Sequence, residues 1–306
     1  MTRASLTPAK VPLSLVQGEP IAERSARVLI GWLPPKDAVN QLLGRNPTPM
    51  DDLTAVNQAI ASSRAAVLRR PATVISDPVV EGDRSILERV ADRPEVHAVF
   101  ADVSWRVEWV DLTRVLSVQK MITADGLEMR VAEAAHDPEA LVELCLPAAQ
   151  PVPPLGAFAD SDGHGFALSS LNPNLRVVGN NVAEALVSAS PEVPPQKVQA
   201  FTFFVTMGAS YVQVARYRGR SFLRDGYHRA AGLLRVGVSR VPAVVIDAPS
   251  YQLITSAPGL FDHEVAFGDR APTLADFWDD SVSADALQPA VRKVVYLRAE
   301  EFVVQG

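Results

Sequence analysis

The chain has 306 residues, 48% of them hydrophobic, and carries 29 Lys and Arg against 35 Asp and Glu, a formal charge of −6. That length is enough for a sizeable buried core in one or two domains, and the acidic excess argues against broad coating of nucleic acid. A single cysteine excludes an internal disulfide framework and suits a reducing cytoplasm, and Met1 to Pro8 lacks the apolar core of a signal peptide. The longest uncharged run, Val198 to Ala215, is interrupted by Gln199, Thr202, Thr206, Gly208, Ser210 and Gln213, so no membrane span is expected.

Residues 1 to about 25, punctuated by Pro8, Pro12 and Pro20, read as an extended arm, and Arg24 to Leu33 as a strand or short helix. Lys36 to Leu43 reads as a helix stopped by Gly44. Thr48 caps a longer one, with Pro49 at its first position and Leu53, Val56, Ile60 and Val67 as its apolar stripe; Pro71 closes it. A short helix follows at Ile86 to Ala91. From Val96 the period becomes two: Val96, Ala98 and Phe100, then Val103, Trp105, Val107 and Trp109, alternate as half-buried strands do. Trp105 and Trp109 share a face and are expected in the core rather than stacked on a base.

Asp137 and Pro138 open a helix bearing Leu141, Val142, Leu144 and Leu146. Residues 147–165 are rich in Pro, Gly and Asp and form the clearest loop. Asp160, Asp162 and His164 within it have metal-ligand character, but they lack the length and terminal Glu of a calcium loop, and a solvated loop is expected. Asn180 and Asn181 cap a helix over Val182 to Ser188, and Pro194 and Pro195 introduce another over Gln196 to Met207. Near the end, Asp262, His263 and Glu264 read as surface. Thr273 to Trp278 starts a helix beside an acidic patch of Asp276, Asp279 and Asp280, and Arg292 to Val304 reads as a strand.

The most informative stretch is Ser210 to Asp247. It reads as a strand, a hairpin turn at Arg218 and Gly219, and a return strand at Ser221 to Leu223. Asp225 and Gly226 form a turn pair, Gly because it tolerates positive φ, with Asp225 as N-cap of the next helix. Ala230, Ala231, Leu233 and Leu234 give that helix its apolar face, Gly237 stops it, and Val241 to Ile246 is a strand covered on both faces. Tyr227, His228 and Arg229 fall in the first helical turn, where unpaired N–H groups and the positive dipole end favour an anion. Residues 216–240 hold seven arginines (216, 218, 220, 224, 229, 235 and 240) against the single acid Asp225. A basic window in an acidic chain is expected to meet an anion.

Asp225-Gly226-Tyr227-His228-Arg229, followed by a helix, a glycine and the Val241-Pro242 strand, resembles the signature of the ParB/sulfiredoxin-like superfamily. Its members include partition-protein nucleotide-binding domains, sulfiredoxins and free-serine kinases. The likeness covers about residues 205–247, and Trp109 to Lys120 resembles the first strand and Gln turn of such domains. It implies an α+β domain, a mixed sheet with packed helices over 95–306 with the Pro/Gly-rich loop around 147–165 as an insertion, while the helix patterns read above make 1–94 a mainly helical segment. It also implies that the phosphate of CTP or of ATP or ADP is held by Gly226, Tyr227, His228 and Arg229, with Arg224, Arg220 and Gln119 assisting. Asp225 and His228 are then the positions for any catalysis. Tyr227 stands where sulfiredoxins carry Cys, so sulfiredoxin chemistry is not expected.

Three functions compete. The first is a nucleotide-binding module that switches shape or hydrolyses slowly. The second is a small-molecule kinase or phosphotransferase on the same fold, which needs Mg²⁺ and a base, Asp225 or the more remote Glu184. The third is an interaction protein without a ligand, forming a homodimer or meeting a protein partner. DNA binding is not favoured, because no basic recognition helix is evident.

Overall fold

The computed structural model describes residues 23–123, 128–148, 156–159, 165–170, 175–188, 194–207, 210–254, 259–289 and 293–298. They fall into two compact units, one drawn from 22–149 and 210–290, the other from 150–209 and 291–306. The first begins with β1 (Arg24–Val28), α1 (Pro35–Leu43), α2 (Thr54–Arg69), β2 (Val79–Val80), α3 (Arg84–Ala91) and α4 (Pro94–Val99). It continues through β3 (Trp105–Asp111), β4 (Leu116–Ser117), β5 (Met121–Thr123), α5 (Glu128–Ala134) and α6 (Pro138–Cys145). The second unit supplies β6 (Gly156–Ala159), β7 (Gly165–Ser170), β8 (Leu175–Val187) and β9 (Gln196–Met207). The first then resumes with β10 (Gln213–Tyr217), β11 (Arg220–Asp225), α7 (Tyr227–Arg235), β12 (Arg240–Asp247), α8 (Tyr251–Ile254), α9 (His263–Phe267) and β13 (Ala284–Gln288). The last strand, β14 (Lys293–Arg298), belongs to the second unit.

Helices and mixed sheets together make this an α+β protein. The first unit is built on a sheet in the order β2-β3-β12-β10-β11-β4. β10 and β11 form an antiparallel hairpin, β12 runs parallel to β10 and antiparallel to β3, and β4 runs parallel to β11. β12 therefore lies inside the sheet, and residues 241–246 are all buried, which is why they read as one unbroken apolar run. Arg218 at φ 50° and Gly219 at φ 75° make the hairpin turn between β10 and β11. A smaller antiparallel sheet, β13-β1-β5, completes this unit.

By contacts, the described residues on both sides of position 94 lie in the first unit. Helix α1 packs against β13, α3 against β3, and α2 against α1 and the turn at Ile30–Trp32, so the N-terminal helices belong to the first unit. The acidic patch at the C-terminal side is an arginine clamp: Asp276 and Asp279 both receive the Arg70 guanidinium. Arg27, itself buried, donates to the Phe277 carbonyl at 2.8 Å, to Ser283 Oγ at 2.6 Å and to Asp280 at 2.7 Å.

Several local expectations are corrected. Val96 to Val99 is helical: Pro94 occupies the first turn of α4, Phe100 is its C-cap, and the apparent alternation reflects two buried residues four apart, Val96 and Phe100. Gly156 to Ala159 within the expected loop is a strand paired with β7, while Asp160, Asp162 and His164 lie outside the described residues. The helices expected at Val182 to Ser188 and Gln196 to Met207 are strands, paired antiparallel with Val182 opposite Phe201 and Val187 opposite Gln196. Phe201, Thr202 and Phe203 are β-formers, and cross-strand pairing settles what an unpatterned apolar run leaves open. No described helix is long and apolar enough to cross a membrane.

Arg27 sets a stability test. Its carboxylate partners are exposed and contribute little, but Arg27→Ala removes the charged donor from the buried Phe277 carbonyl and Ser283 hydroxyl, which keep only the bonds Ser283 donates to the Phe277 and Asp279 carbonyls. The expected loss is about 1–3 kcal/mol, read in urea as a lower midpoint with an unchanged slope; an unchanged midpoint would show that the clamp is idle.

Candidate functional site

The turn between β11 and α7 is opened by Gly226, which caps the helix in the left-handed region at φ 84°. A Cβ there would also lie 2.9 Å from Val212 Cα, so the position needs glycine for space as well as for φ. Gly226, not Asp225, is the N-cap. Asp225 ends the strand, and its carboxylate accepts from the Gly226 N–H at 2.7 Å and from Ser210 Oγ at 3.2 Å. Gln213 Nε2 approaches its other oxygen at 3.4 Å. Three donors converge on this carboxylate, which orients the turn.

Tyr227 is buried and points away from solvent. Its hydroxyl donates to the Leu223 carbonyl at 2.6 Å and accepts from the N–H groups of Val118 at 2.9 Å and Gln119 at 3.3 Å. One phenol thus ties the end of β11, the first turn of α7 and the chain after β4. Burial pushes its pKa well above the ordinary tyrosine value. The residue expected to touch phosphate is a strut beneath the turn. His228, one position on, is exposed, and its Nε2 lies 2.8 Å from Thr123 Oγ1.

The arginines do not gather into one patch. Arg229 donates to the Leu144 carbonyl at 3.0 Å, near the C-terminus of α6, and to Ser210 Oγ at 2.6 Å. A cation suits that helix end. Arg224 donates to the Leu253 carbonyl at 2.9 Å and to Gln213 Oε1. Arg220 donates to the carbonyls of Ala266 and Gly268, each at 3.0 Å, and lies over the Phe267 ring. Arg216 faces Asp77 and Asp247, and Arg235 lies over the Trp278 ring.

The structure therefore brings Gln119, Asp225, Gly226, Tyr227, His228 and Arg229 to one turn, with Arg224 joined to it through Gln213. Arg220 stands at the other end of β11, roughly 17 Å of extended chain away. Gln119 carries a second feature: its side-chain oxygen is buried with no hydrogen-bond partner among the described residues. Ser210, Gln213 and Thr123 were not among the expected site residues. They join it through contacts of 12 to 105 residues' separation, for which local sequence carries no signal.

A cleft of about 260 Å³ opens at the far end of β11, lined by residues including Asp77, Arg216, Arg218, Ser221 and Asp247. It holds both charge signs, with Arg216 already facing two carboxylates. Among the described residues no group of three or more His, Cys, Asp or Glu side chains is placed to hold a metal ion. Cys145 is buried, and burial pushes its thiol up to about 12 despite the nearby Arg229 charge, so it is no nucleophile at neutral pH. The chain matches no protein-family model, no curated protein and no solved structure.

Two outcomes follow. Tyr227→Phe leaves buried main-chain groups without their partner and is expected to cost about 1–3 kcal/mol. The neutral phenol's contribution is whole below the ordinary tyrosine pKa of about 10 and is lost as pH rises from there through the raised native value. Urea titrations across that range should show wild type losing stability with rising pH and the variant losing less; parallel curves would contradict the strut. Cys145 is expected to resist a thiol reagent until the chain unfolds, and rapid labelling of native protein would refute its burial.

Proposed function

We propose that the first turn of α7 is the phosphate site of a nucleotide-binding module of ParB/sulfiredoxin-like type. The observation that carries this reading is the convergence at one glycine-opened helix N-terminus of the exposed His228, Thr123 beside it, and Gln119 beneath it. No acidic side chain lies in that first turn; Asp225, one residue before the N-cap, takes the Gly226 N–H and offsets part of the attraction of the helix dipole for an anion. Main-chain N–H groups of the turn would take phosphate oxygens, and His228, oriented by Thr123, would meet an outer phosphate. Arg229 fixes the turn from behind through main-chain oxygens and adds positive charge at short range.

A binding switch is favoured over a phosphotransferase. Asp225, the carboxylate nearest the turn, is engaged by three donors, which suits an orienting group better than a base. Arg220 supports the fold around α9 and has no part in this site.

The test is calorimetric titration with CTP, ATP, ADP and GTP, with and without Mg²⁺, on wild type and His228→Ala. His228 is chosen because it is exposed, whereas Arg229→Ala would disturb packing. One nucleotide should give saturable heat, weakened about tenfold in the variant, equivalent to about 1.4 kcal/mol, and weaker still at high salt. Absence of heat with every nucleotide, from folded protein, would remove the nucleotide reading.

A further inference from the structure

The ribbon of β8 and β9 in the second unit poses a separate problem. Among the described residues these strands pair only with each other, and β8 also lies against β14, so no described strand extends the ladder at either outer edge. An isolated two-stranded ribbon is marginal in water. At its ends Pro194 and Pro195 precede β9, and a bulge interrupts β8 between Val177 and Gly179. The stretch between them has neither.

The register places Val182 opposite Phe201 and Asn180 opposite Phe203, so Val182, Leu186, Phe201 and Phe203 share one face. Phe201 is 71% exposed, Leu186 66%, Val182 51% and Phe203 45%. Exposed apolar side chains contiguous on one face mark an interaction site. With Val177, they offer on the order of 500 Å², against the roughly 800 Å² that each partner of a stable pair contributes. Asn180 and Gln199 on the same face supply polar area toward the remainder.

We infer that this face is where a second copy of the chain docks, ribbon against ribbon about a two-fold axis. Charge selects that occupant. The charged residues of the face are Glu184 and Lys197, both exposed and 3.7 Å apart, so the face is neutral and does not repel its own copy. A two-fold pairing also uses one patch twice, which a self-complementary apolar strip with one acid and one base allows. An anionic membrane or a highly charged partner would call for an excess of one sign.

Light-scattering mass of the full chain at micromolar concentration is expected at twice 33.0 kDa. The combined Phe201→Asp and Leu186→Asp variant should halve it without altering the unfolding midpoint of the first unit. A wild-type chain that stays at one chain's mass throughout overturns the inference, as does a variant that stays paired. A milder substitution guards against loss of the ribbon itself. Gln199→Cys should form a covalent pair under oxidation, since Cys145 is buried, whereas Arg235→Cys on α7 should not; equal yields at both positions would contradict the proposed face. Wild type that is single in solution but sediments with lipid vesicles would overturn it in favour of a membrane surface.

Discussion

The Tyr227 hydroxyl holds three main-chain groups at once, and the geometry of the α7 turn depends on that junction. The Leu223 carbonyl lies near the end of β11, and the Val118 and Gln119 N–H groups lie on the segment leading to β5. The Leu223 carbonyl and Val118 N–H bonds are buried, so each of these groups needs a protein partner, and a missing one costs more than a formed bond contributes. Gly226 makes the junction reachable. Its positive φ turns the chain sharply enough for the next residue to point inward, and its lack of a Cβ lets the turn lie against Val212. With Tyr227 inward, His228 is directed outward beside Thr123.

Charge is arranged around this junction in relays. Asp225 reaches Arg224 through Gln213 and Arg229 through Ser210, so one carboxylate and two guanidinium groups are linked by neutral side chains. The arginines spend their donors on carbonyls at the ends of short elements: Arg229 on α6, Arg224 on α8 and Arg220 on α9. Each satisfies helix-end groups that lack intrahelical partners. The basic window is thus mostly scaffolding, and its excess positive charge is a background against which the helix N-terminus acts.

Much of this was legible where the determining signal is local. Gly219 and Gly226 mark turns, Gly237 follows α7, and Val241 to Ile246 reads as an interior strand. Asp137 is the N-cap of α6, as its Asp-Pro pair suggests. The capping box at Thr273 and Asp276 starts the turn expected there. Signals fail where the partner is remote or the pattern is ambiguous. Phe203 and Phe204 are adjacent and defeat a period-two reading of β9, while Val96, Ala98 and Phe100 mimic one in α4. The roles of Asp276 and Asp279 rest on Arg70, about two hundred residues earlier, whose guanidinium lies between them. Tyr227 was assigned to the ligand because its position in the motif is visible in sequence and its direction is not.

β11 ends at two candidate anion sites, the α7 turn and the Arg216–Ser221 cleft. Two-dimensional amide spectra recorded during titration with a nucleoside triphosphate distinguish the two. With the α7 turn as the site, the largest shifts fall on Tyr227, His228 and Arg229 and on Gln119 to Thr123, and they shrink as salt is raised. Shifts confined to Asp77, Arg216 to Ser221 and Asp247 would contradict it and move the site to the cleft.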